Sequence, residues 1–137
     1  MFSIFKLSLL AQLLLLSLTS FSEQCSYTQH TDKEVGEVQI IEGFYTSSFE
    51  LSGFTPCGES ETVSWWLEPR SAQSRLSSEI KKLGGTGFNP PDKRLYLKAK
   101  ACVSPDGTYG HLGMFPRHVE IIQLIAVHPE ESSDCGN

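Results

Sequence analysis

Residues Ser104 to His118, SPDGTYGHLGMFPRH, bring Tyr109, His111, Arg117 and His118 into one stretch punctuated by Gly107, Gly110 and Gly113. An imidazole beside a phenol and a guanidinium can do general acid-base chemistry, or stabilise developing charge, if a carboxylate such as Glu50 or Glu68 comes close in space. The glycines permit positive φ and close backbone approach, so the same stretch can also clamp a ligand. A third arrangement folds it back on the protein, with Tyr109 and Phe115 as its own small core. No GxSxG elbow or HExxH helix accompanies the histidines, so a binding module is the expectation, with a small hydrolase using His111, or an envelope structural or inhibitor protein, as the alternatives.

Phosphate chemistry fits poorly. A phosphate-binding glycine loop uses the N-terminus of the helix that follows it, and here a strand-like run follows, with no Walker lysine. The same objection applies to GGTG at residues 84–87, which reads as a helix ending. The four cysteines, Cys25, Cys57, Cys102 and Cys135, form no CxxC and stand near no histidine at zinc-ligand spacing, so neither a metal nor a cofactor is implied.

The N-terminus determines what those cysteines do. MFSIFK carries Lys6, LSLLAQLLLLSL is an apolar core, and TSFS ends with small residues at Ser20 and Ser22, the pattern of a signal peptide spanning residues 1–22. The apolar run falls short of the roughly 20 residues a span requires, so no stable membrane span is expected once the leader is removed. Export, to a periplasm or outside the cell, makes an even cysteine count read as two disulfides, with three pairings open. Lipidation of Cys25 is the lesser alternative, because Glu23 and Gln24 occupy positions where a lipobox has small residues.

The chain has 11 basic against 16 acidic residues and a net charge of −5, and Lys6 lies in the leader. That field and the scatter of the basic residues argue against nucleic acid, whose affinity comes largely from neutralising phosphates. Protein, peptide or carbohydrate partners remain.

Period-two patterning dominates the mature chain. EVGEVQIIEGFYTSSFELSGF reads as two strands joined at a small break, and TPCGES as a turn. In ETVSWWLEP, alternation sends Trp65 inward and Trp66 outward. SAQSRLSSEIKKLGG places Ala72, Leu76, Ile80 and Leu83 on one helical stripe, with Ser71 as N-cap and Gly84 as the left-handed stop. RLYLKAKACV puts Leu95, Leu97, Ala99 and Ala101 on one face, while RHVEIIQLIAVHP is apolar on both parities, as a strand covered on both sides would be.

The order is therefore strand, strand, strand, helix, strand, strand. From about Val35 to His128 the chain resembles the OB-fold, a five-stranded Greek-key barrel with a helix between its third and fourth strands; element order and lengths carry the resemblance. It implies a mainly β, disulfide-stapled domain over residues 35–128, flanked by tails at 23–34 and 129–137. An open α+β sandwich with the helix on one sheet face is the rival. In the barrel, the turn after strand two and the loop after strand four leave at the same end, which pairs Cys57 with Cys102 and leaves Cys25 for Cys135. The opening segment becomes the connection between strands four and five, which in this fold borders a ligand surface on strands two and three. The expected site joins Trp66, Tyr109, His111, Glu50, Glu68 and Arg117, with Tyr45, Ser52 and Phe54 also on the outward face. Flat aromatics with acids and hydroxyls suit a sugar or a peptide. The competing arrangement packs Trp66 under a tail or under the loop.

Overall fold

A long strand organises the fold. In the computed structural model, which describes residues 22–86 and 91–136, β2 runs from Asp32–Ser48 and pairs with three others. Its first residues receive β1 (Gln24–Gln29), its last receive β3 (Leu51–Pro56), and β5 (Leu95–Val103) lies along its other edge from Glu37 to Tyr45. β4 (Trp65–Glu68) pairs antiparallel with β3 and parallel with β6 (His118–Pro129), and β6 pairs antiparallel with β5. The sequence β2, β3, β4, β6, β5 and back to β2 closes a ring of five strands. Closure removes the exposed edges that an open sheet would leave. The pairing of β5 with β2 completes the ring, which excludes the open sandwich.

Inside the ring, Ile41 and Tyr45 of β2 face Leu95, Leu97, Ala99 and Ala101 of β5, as alternation of strand side chains requires. Phe54, Leu67, Val119 and Ile121 complete the barrel core. Helix α1 (Gln73–Lys82) closes one end with Leu76 fully buried, and Ile80 and Leu83 pack partly against the core. Burying Leu76 contributes about 1.5–3 kcal/mol. The helix stops at Gly84, φ +81°, but Ser71 does not cap it. A 3-10 turn at Arg70–Ala72 precedes the helix, whose N-cap is Ala72 and makes no side-chain hydrogen bond.

Four further expectations are corrected. Tyr45, Ser52 and Phe54 face inward rather than outward, because the inward parity of β2 and β3 is the one carrying Ile41, Tyr45 and Phe54, and Ser52 Oγ donates to the Leu67 carbonyl. The last strand is not covered on both faces, since Ile122 and Ile125 are about half exposed. Its apolar parities alternate because β6 bulges twice. Ala101 pairs with Ile121 and Lys100 with Gln123, then Ala99 with Leu124 and Lys98 with Ala126, so Ile122 and Ile125 are the extra residues. Each bulge shifts the inward set by one, which lets Val119, Ile121, Leu124 and Val127 all reach the core, and it adds local curvature that helps close a small barrel.

Finally, residues 24–34, expected as a tail, form β1 and the start of β2, and the disulfides are Cys25 with Cys102 and Cys57 with Cys135. The directional argument for joining Cys57 to Cys102 had the right end of the barrel and the wrong distance. The Cys57 amide bonds the Glu42 carbonyl, whereas Cys102 pairs with Val38. Four residues along β2 is roughly 13 Å at strand spacing, beyond the ~7 Å that a disulfide spans between Cα atoms. β1 instead sets Cys25 opposite Gly36, beside Cys102. A Cys25 committed to that bridge has no thiol left to lipidate. The signal peptide expected over residues 1–22 falls, up to residue 21, outside the described residues, among which no helix is long and apolar enough to cross a membrane.

Candidate functional site

The connection between β5 and β6 does two jobs along its length. Its inner part builds a second core outside the barrel, where Tyr27 of β1, Cys102, Tyr109 and Phe115 bury one another against Cys25 and Trp66. Tyr109 and Phe115 exchange backbone hydrogen bonds at 2.8 and 3.2 Å, which pinches the loop into a small hairpin. The Tyr109 hydroxyl donates to the Pro105 carbonyl at 3.0 Å. Phe115 packs edge-on against Trp66, with ring centroids 5.2 Å apart. Gly110 crosses the indole face so closely that a Cβ there would stand 2.5 Å from Trp66 Cδ2, and its φ of +69° suits glycine alone.

That geometry settles where each expected site residue stands. Trp66 lies on the outward face, and the loop covers it; its Nε1 donates to Glu68 Oε1 at 3.1 Å. Tyr109 is buried. Arg117 braces the base of the loop, donating from Nη1 to the Ser104 carbonyl at 2.9 Å and pairing with Asp106 at 3.1 Å. Glu50 and His111 do come together, with His111 Nε2 3.4 Å from Glu50 Oε2. The six expected residues therefore divide into a bracing set, Trp66, Glu68, Tyr109 and Arg117, and an exposed pair, Glu50 and His111.

Behind the loop, His118 is buried and stacks on Tyr27 with centroids 5.2 Å apart. Its Nε2 has no hydrogen-bond partner among the described residues and stands 3.9 Å from Glu120 Oε2. Burial holds its pKa below the ordinary imidazole value, against the opposing pull of Glu68 and Glu120. Burial also pushes the Tyr27 phenol well up, reinforced by its hydrogen bonds with Tyr109 and Glu34. Both groups thus stay neutral, as a covered interior requires.

The outer part of the loop meets the β2 to β3 turn at the contact of Glu50 with His111. Each of these two segments holds a non-glycine residue at positive φ, Glu50 at 57° and Leu112 at 57°. Such backbone costs about 1–3 kcal/mol and persists only where its surroundings enforce it. Next to this junction lies an open groove of about 870 Å³ along β3, between Leu51, Gly53 and Thr55 on one side and Val63, Ser64, Met114 and Phe115 on the other. It exists because β4 pairs with β3 only at Gly53 and Phe54, so beyond Phe54 the two chain segments separate. Phe115 forms part of its wall and is itself backed by Trp66.

The groove residues Leu51, Met114 and Phe115 were not expected as site residues. The signal available in the sequence was apolar residues placed where turns are normally polar, Phe49 and Leu51 around one connection and Leu112 and Met114 in the other; all four are exposed. Comparison with protein-family models, with curated proteins and with solved structures finds no match to this chain.

Proposed function

We propose that this chain is an exported binding module that takes its ligand in the groove along β3, with the β2 to β3 turn and the β5 to β6 loop as its two jaws. One observation carries the reading: the two connections meet at Glu50 and His111 beside an open groove whose volume falls within the usual range for ligand sites, about 300–1,000 Å³. The location agrees with the ligand surface that the OB-type order implies, strands two and three with their flanking loops. Two disulfides and the apolar leader support a periplasmic or secreted location, where such bonds persist. Trp66 serves by holding Phe115 in place rather than by stacking on the ligand.

The test is a ¹⁵N-resolved NMR screen of the mature chain against short peptides and neutral oligosaccharides. Shift changes concentrated at the amides of Gly53, Thr55, Ser64 and Met114 are the expected result. Changes scattered over the barrel, or confined to the side of His118, would refute the placement.

A further inference from the structure

The groove is chemically asymmetric, and that asymmetry identifies a class of occupant. At the end near the β2 to β3 turn its lining is aliphatic and aromatic, with Leu51 and Met114 37% and 73% exposed. At the other end it runs on, through shared Thr55, Glu61, Arg94 and Glu130, into a second cleft of about 410 Å³ beside the disulfide of Cys57 and Cys135. That cleft is lined by Glu59, Glu61, Glu130, Glu131 and Asp134, and among its described lining residues Arg94 is the one cation. Arg94 is already committed: its Nε and Nη2 donate to the two Glu130 oxygens at 3.0 and 2.5 Å, and its guanidinium lies 4.2 Å from the centre of the Phe44 ring. Asp134 is likewise occupied, accepting the Glu131 amide at 2.7 Å and standing 3.4 Å from His128 Nε2. Glu61 stands 3.7 Å from Arg94 Nη2 but is 85% exposed, and with the exposed carboxylates of Glu59 and Glu131 it sets the field of that end.

We propose that the occupant is an extended segment of a partner protein, with an apolar side chain seated between Leu51 and Met114 and a lysine or arginine reaching the carboxylates of Glu59, Glu61 and Glu131. Length agrees: Leu51 to Pro56 is five strand steps, roughly 17 Å, which an extended segment of five or six residues covers. Sign agrees as well, since an acidic rim on a chain of net charge −5 attracts cationic partners and repels acidic ones. A glycan is the poorer fit. Sugar recognition relies on an open aromatic face, and the aromatic lining the first cleft, Phe115, is 7% exposed with its ring packed against Trp66. This inference rests on the binding-module reading above.

The experiment uses a capped octapeptide with two leucines at one end, serines between, and two lysines at the other. Its controls are a counterpart with glutamates for the lysines, one with serines for the leucines, and cellohexaose. The expected result is saturable shift change at Thr55, Ser64 and Met114 with the leucine and lysine peptide. Affinity should fall as salt rises and drop about eightfold in a Glu59→Gln, Glu61→Gln, Glu131→Gln variant, a factor of roughly two for each exposed charge contact. The three positions are exposed, and an otherwise unchanged spectrum shows that the variant is folded. If the glutamate peptide or cellohexaose binds at the same amides as well as the lysine peptide does, the cationic-segment inference falls while the binding-module reading stands. If no probe shifts the groove amides, both fall.

Discussion

Replacing Gly110 by alanine should detach the β5 to β6 loop, whereas the same change at Gly113, three residues on, should hardly be felt. Gly110 has φ +69° and ψ −160°, a region that only glycine occupies at low cost, so an alanine there is strained by about 1–3 kcal/mol. Its new Cβ would also meet Trp66 Cδ2 at 2.5 Å and Phe115 Cδ2 at 2.8 Å, and overpacking of that kind costs about 1–3 kcal/mol more. Gly113 shares the positive φ, +64°, but the nearest atom to its built Cβ is Thr108 Cβ at 3.6 Å, an ordinary contact. Only the left-handed backbone term of about 1–2 kcal/mol remains there, partly offset by the reduced freedom of the unfolded chain. Amide hydrogen exchange at Tyr109 and Phe115, whose mutual hydrogen bonds close the loop, reports the local opening equilibrium. Gly110→Ala should speed exchange there by at least about 30-fold and Gly113→Ala by about tenfold or less, at 1.4 kcal/mol per factor of ten. Equal acceleration in the two variants would mean that the loop does not rest on Trp66, and the indole face would return as a candidate ligand surface.

Non-reducing peptide mapping should recover Cys25 joined to Cys102 and Cys57 joined to Cys135. Removing either pair should cost about 2–4 kcal/mol in urea unfolding; a fragment joining Cys57 to Cys102 would contradict the register of β2. In β6, Ile121→Ala should cost about 2–5 kcal/mol, because it empties a core position. The adjacent Ile122→Ser should change stability by no more than about 0.5 kcal/mol, and comparable losses would show that the bulge is misplaced. For His118, burial lowers the folded pKa below the ordinary 6.5, so the unfolded chain takes up the proton first. Its contribution to stability is complete above about pH 6.5 and is lost as pH falls through that value towards the folded pKa. The urea midpoint of the chain should therefore decline on acidification more steeply than that of His118→Phe, which keeps a ring against Tyr27. Parallel declines would show that His118 is not the group responsible.

Alternation was more legible in the sequence than register, although its phase in β2 and β3 was also misread and set Tyr45 and Phe54 outward. Alternation is local, so the split of Trp65 inward and Trp66 outward, the inward face of Leu95, Leu97, Ala99 and Ala101, and the helical stripe ending at Gly84 could all be read from neighbouring residues. The approach of Glu50 to His111 was left open by the sequence, which offered Glu50 and Glu68 alike as the carboxylate. Register is set between distant segments. QCSYTQ is short and mostly polar, and the only face it buries is that of Cys25 and Tyr27 on the second core, so pairing with the start of β2 is what marks β1 as a strand. Overlooking it freed Cys25 in the sequence reading and led to the wrong disulfides. The bulges in β6 show the same limit from the other side. Residues that are apolar on both parities resemble a strand buried on both faces, and only the partner strand reveals that Ile122 and Ile125 are inserted.

The two cores also explain why the expected site residues turned out mostly to be braces. A barrel this small is filled by its own side chains, so the proposed ligand would lie on its outer surface, and a jaw on that surface would have to be held by something other than the main core. Tyr27, Cys102, Tyr109, Phe115 and Trp66 supply that hold, and the bridge of Cys25 to Cys102 ties β1 into it. The consequence is energetic as much as architectural. Ordering a loop on binding costs free energy that has to come from the interface, and a loop pinned beforehand through Tyr109, Phe115 and Arg117 reduces that cost. Leu112 and Met114, at its outer end, remain exposed and available for contact. Residues that would dominate an alanine scan of this surface, Trp66 above all, would then do so by releasing the jaw. Loop protection in hydrogen exchange separates that effect from lost ligand contact: Trp66→Ala should lose protection at Tyr109 and Phe115 without any ligand present, whereas Met114→Ala should keep it.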